Sequence, residues 1–110
     1  ALPIFGIVEA GGTTVSNEID VTTIKFVLNQ NYPNPFNPNT VIRYQLSESN
    51  YITLMVFDAL GREVTILQEG LKSAGVHTVD FDATGLASGI YFYKLTTSSG
   101  TEVKKMILLK

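Results

Sequence analysis

Three of the chain's four prolines fall within eight residues, Asn31-Tyr-Pro-Asn-Pro-Phe-Asn-Pro38. Each proline fixes its own φ and lacks a donor, and each pushes the residue before it out of the helical region. The segment is therefore extended or turning, with Tyr32 and Phe36 expected to pin it to a core. Beyond it, the hydrophobic pattern alternates residue by residue, as a strand does and a helix does not. Ile42, Tyr44 and Leu46 share one face, against Arg43 and Gln45 on the other. From Tyr51 to Phe57 the faces are Ile52, Leu54 and Val56 against Tyr51, Thr53, Met55 and Phe57. Both are largely apolar, which predicts a central strand covered on both sides.

Asp58-Ala-Leu-Gly61 supplies a turn, Arg62 to Leu67 a returning strand, and Gln68 to Gly75 a loop bounded by two glycines. Val79 and Phe81 mark the inner face of a strand from His77 to Asp82, followed by a turn from Ala83 to Gly89. Ile90 to Leu95 is the most aromatic strand, Thr96 to Gly100 a polar hairpin loop, and Glu102 to Leu109 the last strand. With Lys25 to Leu28 this makes about seven strands at roughly 8–12-residue spacing, the pattern of an all-β, immunoglobulin-like β-sandwich.

A chain of 110 residues is expected to form one domain, burying roughly 65% of the surface its unfolded form exposes. Net charge is −2 with eight Lys and Arg, which argues against a nucleic-acid partner, because displacing counterions takes a basic stripe. The absence of cysteine removes disulfides, thiolate metal sites and thiol nucleophiles. No apolar run approaches the roughly 18 residues of a membrane-spanning helix. Nor does the start, at Ala1, carry a basic region before an apolar one; a mature, processed chain is expected.

Catalytic chemistry finds little footing. The single His77 stands at a strand end with no motif placing a nucleophile or orienting carboxylate beside it. Asp58, Asp80 and Asp82 could offer oxygen ligands to calcium, but no calcium-loop pattern surrounds them. Gly85 to Gly89 is followed by neither a helix nor the lysine of a phosphate loop. A small filled sandwich also offers little cleft for a pair of hydrolytic carboxylates. No enzyme activity, cofactor, metal or small-molecule substrate is expected. Lys104 and Lys105, adjacent in a strand, lie on opposite faces, and one of them is expected to blunt a sheet edge.

Four ordered blocks carry a resemblance. They are Asn31 to Pro38, the hairpin Val56-Phe-Asp-Ala-Leu-Gly-Arg-Glu-Val64, Gly75-Val-His77, and Gly85-Leu-Ala-Ser-Gly-Ile-Tyr-Phe-Tyr93 leading to the Lys-rich apolar end at Lys110. Over residues 24–110 the chain closely resembles the type A C-terminal sorting domain of the type IX secretion system of Bacteroidetes and relatives. It is also similar to the immunoglobulin-like domain of flagellar hook-capping proteins. The resemblance implies that an outer-membrane translocon recognises the folded domain and its last strands, then releases or anchors the cargo outside the cell. It points to Lys104, Lys105, Met106, Ile107, Leu108, Leu109 and Lys110 as the segment read in sorting, supported by Gly89 and Tyr91.

Residues 1–23 differ from the rest: an apolar stretch, Ala1 to Ala10, then a polar spacer through Asp20. Burying Leu2, Ile4, Phe5, Ile7 and Val8 would yield roughly 7–15 kcal/mol gross, at about 1.5–3 each, so water is an unfavourable home for them. Three placements compete: a first strand of the same sandwich, the trailing end of a lost passenger domain, or a strand donated to a neighbouring copy. The Gly11-Gly12 hinge and the spacer favour the third, because about a dozen residues reach roughly 40 Å. The expected function is thus a secreted, self-associating filament subunit whose partners are its own copies and the translocon. The alternative is the sorting and anchoring tail of a larger secreted enzyme or adhesin.

Overall fold

Strict alternation of exposed and buried residues along Asn39–Leu46 turns the sequence pattern directly into a sheet face. The computed structural model describes residues 25–110, and seven strands run through them. They are β1 (Phe26–Leu28), β2 (Asn39–Leu46), β3 (Asn50–Asp58), β4 (Glu63–Lys72), β5 (Gly75–Asp82), β6 (Gly89–Thr97) and β7 (Gly100–Leu108). All pairings between these strands are antiparallel. One sheet has the order β1-β2-β5 and the other the order β4-β3-β6-β7. This is the all-β sandwich expected, with β3 central in its sheet. In the constant-type immunoglobulin arrangement the fourth strand joins the sheet of the fifth. Here it stays hairpinned to the third.

The inner faces interlock through Ile42, Tyr44 and Leu46 of β2, Val79 and Phe81 of β5, Ile52, Leu54 and Val56 of β3, and Tyr91, Tyr93 and Leu95 of β6. Three buried tyrosines in one core need partners for their hydroxyls, since an unpaired buried hydroxyl costs about 1–3 kcal/mol. Each has one. Tyr44 Oη donates to Gln68 Oε1 at 2.6 Å, Tyr93 Oη to the Asn29 carbonyl at 2.6 Å, and Tyr91 Oη to the Ala87 carbonyl at 2.7 Å. Tyr91, near the start of the sixth strand and bonded to the backbone just upstream, has the form of the tyrosine corner that pins this crossing in immunoglobulin-like sandwiches.

Two expectations are corrected. Gln68 to Gly75 is not a loop: β4 continues to Lys72, because Gln68, Glu69, Gly70 and Leu71 pair with Leu54, Thr53, Ile52 and Tyr51. The chain then leaves the sheet through Ser73 and Ala74 alone before β5 begins. Phe36 is a core residue as expected, but Tyr32 is 80% exposed. The backbone of Tyr32 pairs with Val41 in an isolated bridge, Tyr32 N–H to the Val41 carbonyl at 3.0 Å and Val41 N–H to the Tyr32 carbonyl at 2.9 Å. That pairing turns the residue before it inward, and Asn31 takes the buried place.

Candidate functional site

The terminal strand lies along one side of the four-stranded sheet, with β6 as its neighbour there. The β6–β7 ladder runs from Gly89 opposite Leu108 to Thr97 opposite Gly100 with no slip in register. It brings together the residues that sequence reasoning marked for sorting. Tyr91 faces Met106, Tyr93 faces Lys104, Phe92 faces Lys105 and Ile90 faces Ile107. Leu109 and Lys110 follow the last rung, where Lys110 N–H donates to Ser88 Oγ at 3.0 Å.

Their accessibility divides them. Met106 and Leu108 are fully buried and close the core under the strand. Lys104 and Ile107 are half-buried, while Lys105, Leu109 and Lys110 are exposed. Toward the C-terminal end of this strand the accessible side chains are therefore Lys105, Leu109 and Lys110, while Met106 and Leu108 hold the strand in place; Thr101, Glu102 and Val103 are exposed at its other end. On the outer face of the same sheet Lys94 Nζ sits 5.0 Å from the Phe57 ring centroid, a cation–π contact beside the Phe92–Lys105 rung.

Sequence reasoning missed what lies against the outer edge of β7. A proline segment has few backbone donors, so its asparagines and glutamine do the bonding through side chains. Gln30 Nε2 donates to the Lys105 carbonyl at 2.7 Å, and Asn34 Oδ1 accepts from the Ile107 N–H at 2.9 Å. Phe36 adds a short parallel bridge: its N–H donates to the Ile107 carbonyl at 2.9 Å, and its carbonyl accepts from Leu109 N–H at 3.0 Å. Behind these contacts is a closed polar cluster. Gln30 Nε2 also donates to Asn31 Oδ1 at 2.7 Å, and Asn31 Nδ2 donates to Thr40 Oγ1 at 3.0 Å and the Pro33 carbonyl at 3.1 Å. Thr40 Oγ1 in turn donates to the Pro33 carbonyl at 2.8 Å. Buried Asn31 and Thr40 thus have every side-chain donor bonded and each side-chain oxygen accepting one bond, as burial requires. A run of Asn and Gln around prolines was the available sequence signal.

Asp58, Asp82 and His77 are engaged in local structure, while Asp80 is exposed on the outer face of β5. Asp58 Oδ1 accepts from the N–H groups of Leu60 and Arg62, both at 2.9 Å, and Oδ2 pairs with Arg62 Nε at 2.8 Å. The Arg62 backbone N–H, aided by the guanidinium and by Leu60, holds the Asp58 carboxyl below the usual range. Gly61, at φ +85°, closes this turn where other residues would be strained. The Thr84 hydroxyl and N–H do the same for Asp82, at 2.6 and 2.9 Å. His77 Nε2 lies 2.8 Å from the Ser73 carbonyl, and its ring stacks on Tyr44 with centroids 5.1 Å apart. Among the described residues no three His, Asp or Glu side chains converge as a metal site would require. The expected self-assembly residues Leu2, Ile4, Phe5, Ile7 and Val8, and the spacer after them, lie outside the described residues.

Against known proteins, a family model described as the secretion system C-terminal sorting domain matches residues 30–109. Among solved structures, the crystal structure of dimeric latent PorU from Porphyromonas gingivalis aligns at a TM-score of 0.60 with 19% identity. The alignment covers 78% of this chain and 10% of that one, so the chain spans about a tenth of that protein's length, and at this identity the likeness concerns the fold alone. No curated protein sequence matches.

Proposed function

The chain belongs to the family of secretion system C-terminal sorting domains, and we propose that it is the C-terminal sorting tail of a larger type IX cargo. Membership implies export by the type IX route, to the cell surface or the medium. The observation that carries the reading is the extent of the family match, which runs from the proline segment through the terminal strand. The translocon is the partner in this reading. It meets the C-terminal end of the β6–β7 ladder, where Lys105, Leu109 and Lys110 are the accessible groups of the terminal segment. Tyr91, Gly89, Met106 and Leu108 hold that surface in shape. The filament reading depended on residues 1–10, and nothing among the described residues favours it over the tail.

Deleting Glu102 to Lys110 is a poor test, because it removes two core side chains with the signal. Substituting the exposed groups separates the two effects. Lys105→Glu combined with Leu109→Ser and Lys110→Glu is expected to leave the urea midpoint nearly unchanged, as exposed substitutions do. The same variant, placed behind a reporter in a type IX-competent host, is expected to accumulate in the periplasm. Undiminished surface delivery of this triple variant would remove the terminal strand from the sorting reading.

A further inference from the structure

We infer that Gln30, Asn34 and Phe36 act as a clamp that positions the sorting strand and withholds its backbone, so that the strand is read through its side chains. The inference rests on the reading of β7 and its extension as the sorting signal. Four backbone groups on the outer side of Lys105–Leu109 are engaged by this segment: the Lys105 carbonyl, both Ile107 groups and the Leu109 N–H. A strand adding to this edge would have to displace those bonds. What stays accessible are the side chains of Lys105, Leu109 and Lys110.

The clamp is anchored at both ends. Phe36 is 2% exposed, with its ring 6.1 Å from that of Phe81 across the sandwich. Gln30 is bonded through Asn31 to Thr40 in β2, so the edge of one sheet is tied to a strand of the other. The polarity of each contact is specific. Position 34 must accept a hydrogen bond, because it faces an N–H. Position 30 must donate, because it faces a carbonyl and the Asn31 Oδ1.

Gln30 and Asn34 are both exposed, so changing them opens no cavity. The test compares Asn34→Ala, Asn34→Asp and Gln30→Glu in the full chain, following Ile107 and Leu109 amide exchange by NMR and reporter export in a type IX-competent host. Asn34→Ala is expected to speed Ile107 exchange about tenfold, the loss of one protecting bond, and to cut surface delivery. Asn34→Asp keeps an acceptor and is expected to restore both. Gln30→Glu places an acceptor against two acceptors and is expected to cut surface delivery as Asn34→Ala does, with a smaller change in Ile107 exchange because Asn34 still holds that amide. Unchanged Ile107 exchange in Asn34→Ala would overturn the clamp. Faster exchange with undiminished or improved delivery would overturn its sorting role, since a partner could then take the freed edge. The triple variant at Lys105, Leu109 and Lys110 separates these failures from failure of the sorting reading. That variant leaves the clamp bonds and Ile107 exchange intact, and tests delivery alone.

Discussion

β4 and β7 flank the same four-stranded sheet and are protected in opposite ways. β4 carries its protection in its own sequence. Its register with β3 shifts between Leu54 and Met55 and again between Val56 and Phe57, leaving Leu67 and Val64 as the extra residues of two bulges. Bulges twist an edge away from further pairing, and Glu63, Glu69 and Lys72 add charge to it. β7 has an unshifted ladder and is guarded from outside, by residues about seventy positions earlier in the chain. On the proposed sorting reading, the difference separates a scaffold edge from a presented one. A bulged edge is closed by its own geometry, whereas a clamped edge stays regular and keeps its outward side chains in one register.

The largest expected effect tests how deeply each strand is rooted. Leu108 is fully buried, while every β4 residue is exposed or only half-buried. Leu108→Ala is expected to cost about 2–5 kcal/mol, the range for truncating a leucine in a packed core. Leu67→Ala, at a half-buried bulge, is expected to cost about 1–1.5 kcal/mol, in proportion to its smaller burial. Urea unfolding of both variants reads the comparison. Equal losses would mean that β4 is as integral to the core as β7, and the contrast between the two edges would fail.

How much of this contrast could be read beforehand follows from the range of the interactions involved. The β2 alternation of Ile42, Tyr44 and Leu46 is a local pattern, and it located a buried face correctly. Gly70 misled, because glycine beside Gln68 and Glu69 reads as a break, yet pairing with Ile52 carries the strand through it. Tyr32 misled in the other direction. Hydropathy prefers to bury the tyrosine over Asn31, and only the bridge to Val41 fixes which of the two faces inward. For the clamp, the Asn and Gln around the prolines signalled side-chain bonding but not its target: Asn34 and Ile107 are 73 residues apart, and neither local periodicity nor turn chemistry connects them.

A middle-sized effect probes the tie between β6 and the chain just before the clamp. Burial pushes the Tyr93 phenol up to about 12, against a weaker opposite pull from the Asn31 backbone amide. An unfolded tyrosine ionises near pH 10. Between those values the unfolded chain releases a proton that the folded one retains, so stability falls as pH rises through this window and is pH-independent below it. Tyr44, also raised by burial, contributes to the same limb. Tyr93→Phe is expected to lose about 1 kcal/mol at neutral pH with the Asn29 bond, and to show a shallower alkaline fall than the parent. Urea midpoints measured from pH 8 to 12 decide it. An alkaline limb as steep as the parent's would show that Tyr93 is not the group responsible.

The smallest effect addresses the local guard of β4 at its hairpin. The Asp58 carboxyl is held below its usual range by the Arg62 N–H and guanidinium and by Leu60. A group whose folded value is lowered contributes stability that is present above the ordinary carboxylate value and is lost as pH falls through the folded one. The Asp58 side chain is half-buried but its partner Arg62 is 73% exposed, so solvent screens the pair and the contribution is modest. Asp58→Asn keeps an acceptor for the two N–H groups but removes the charge. It is expected to flatten the acid limb below about pH 4 and to speed exchange of the Leu60 and Arg62 amides. Ile107 exchange should not change, because the β4 hairpin and the β7 clamp share no hydrogen bond. If Asp58→Asn also speeds Ile107 exchange, the two edges open together, and the separation of a self-closed edge from a clamped one is wrong.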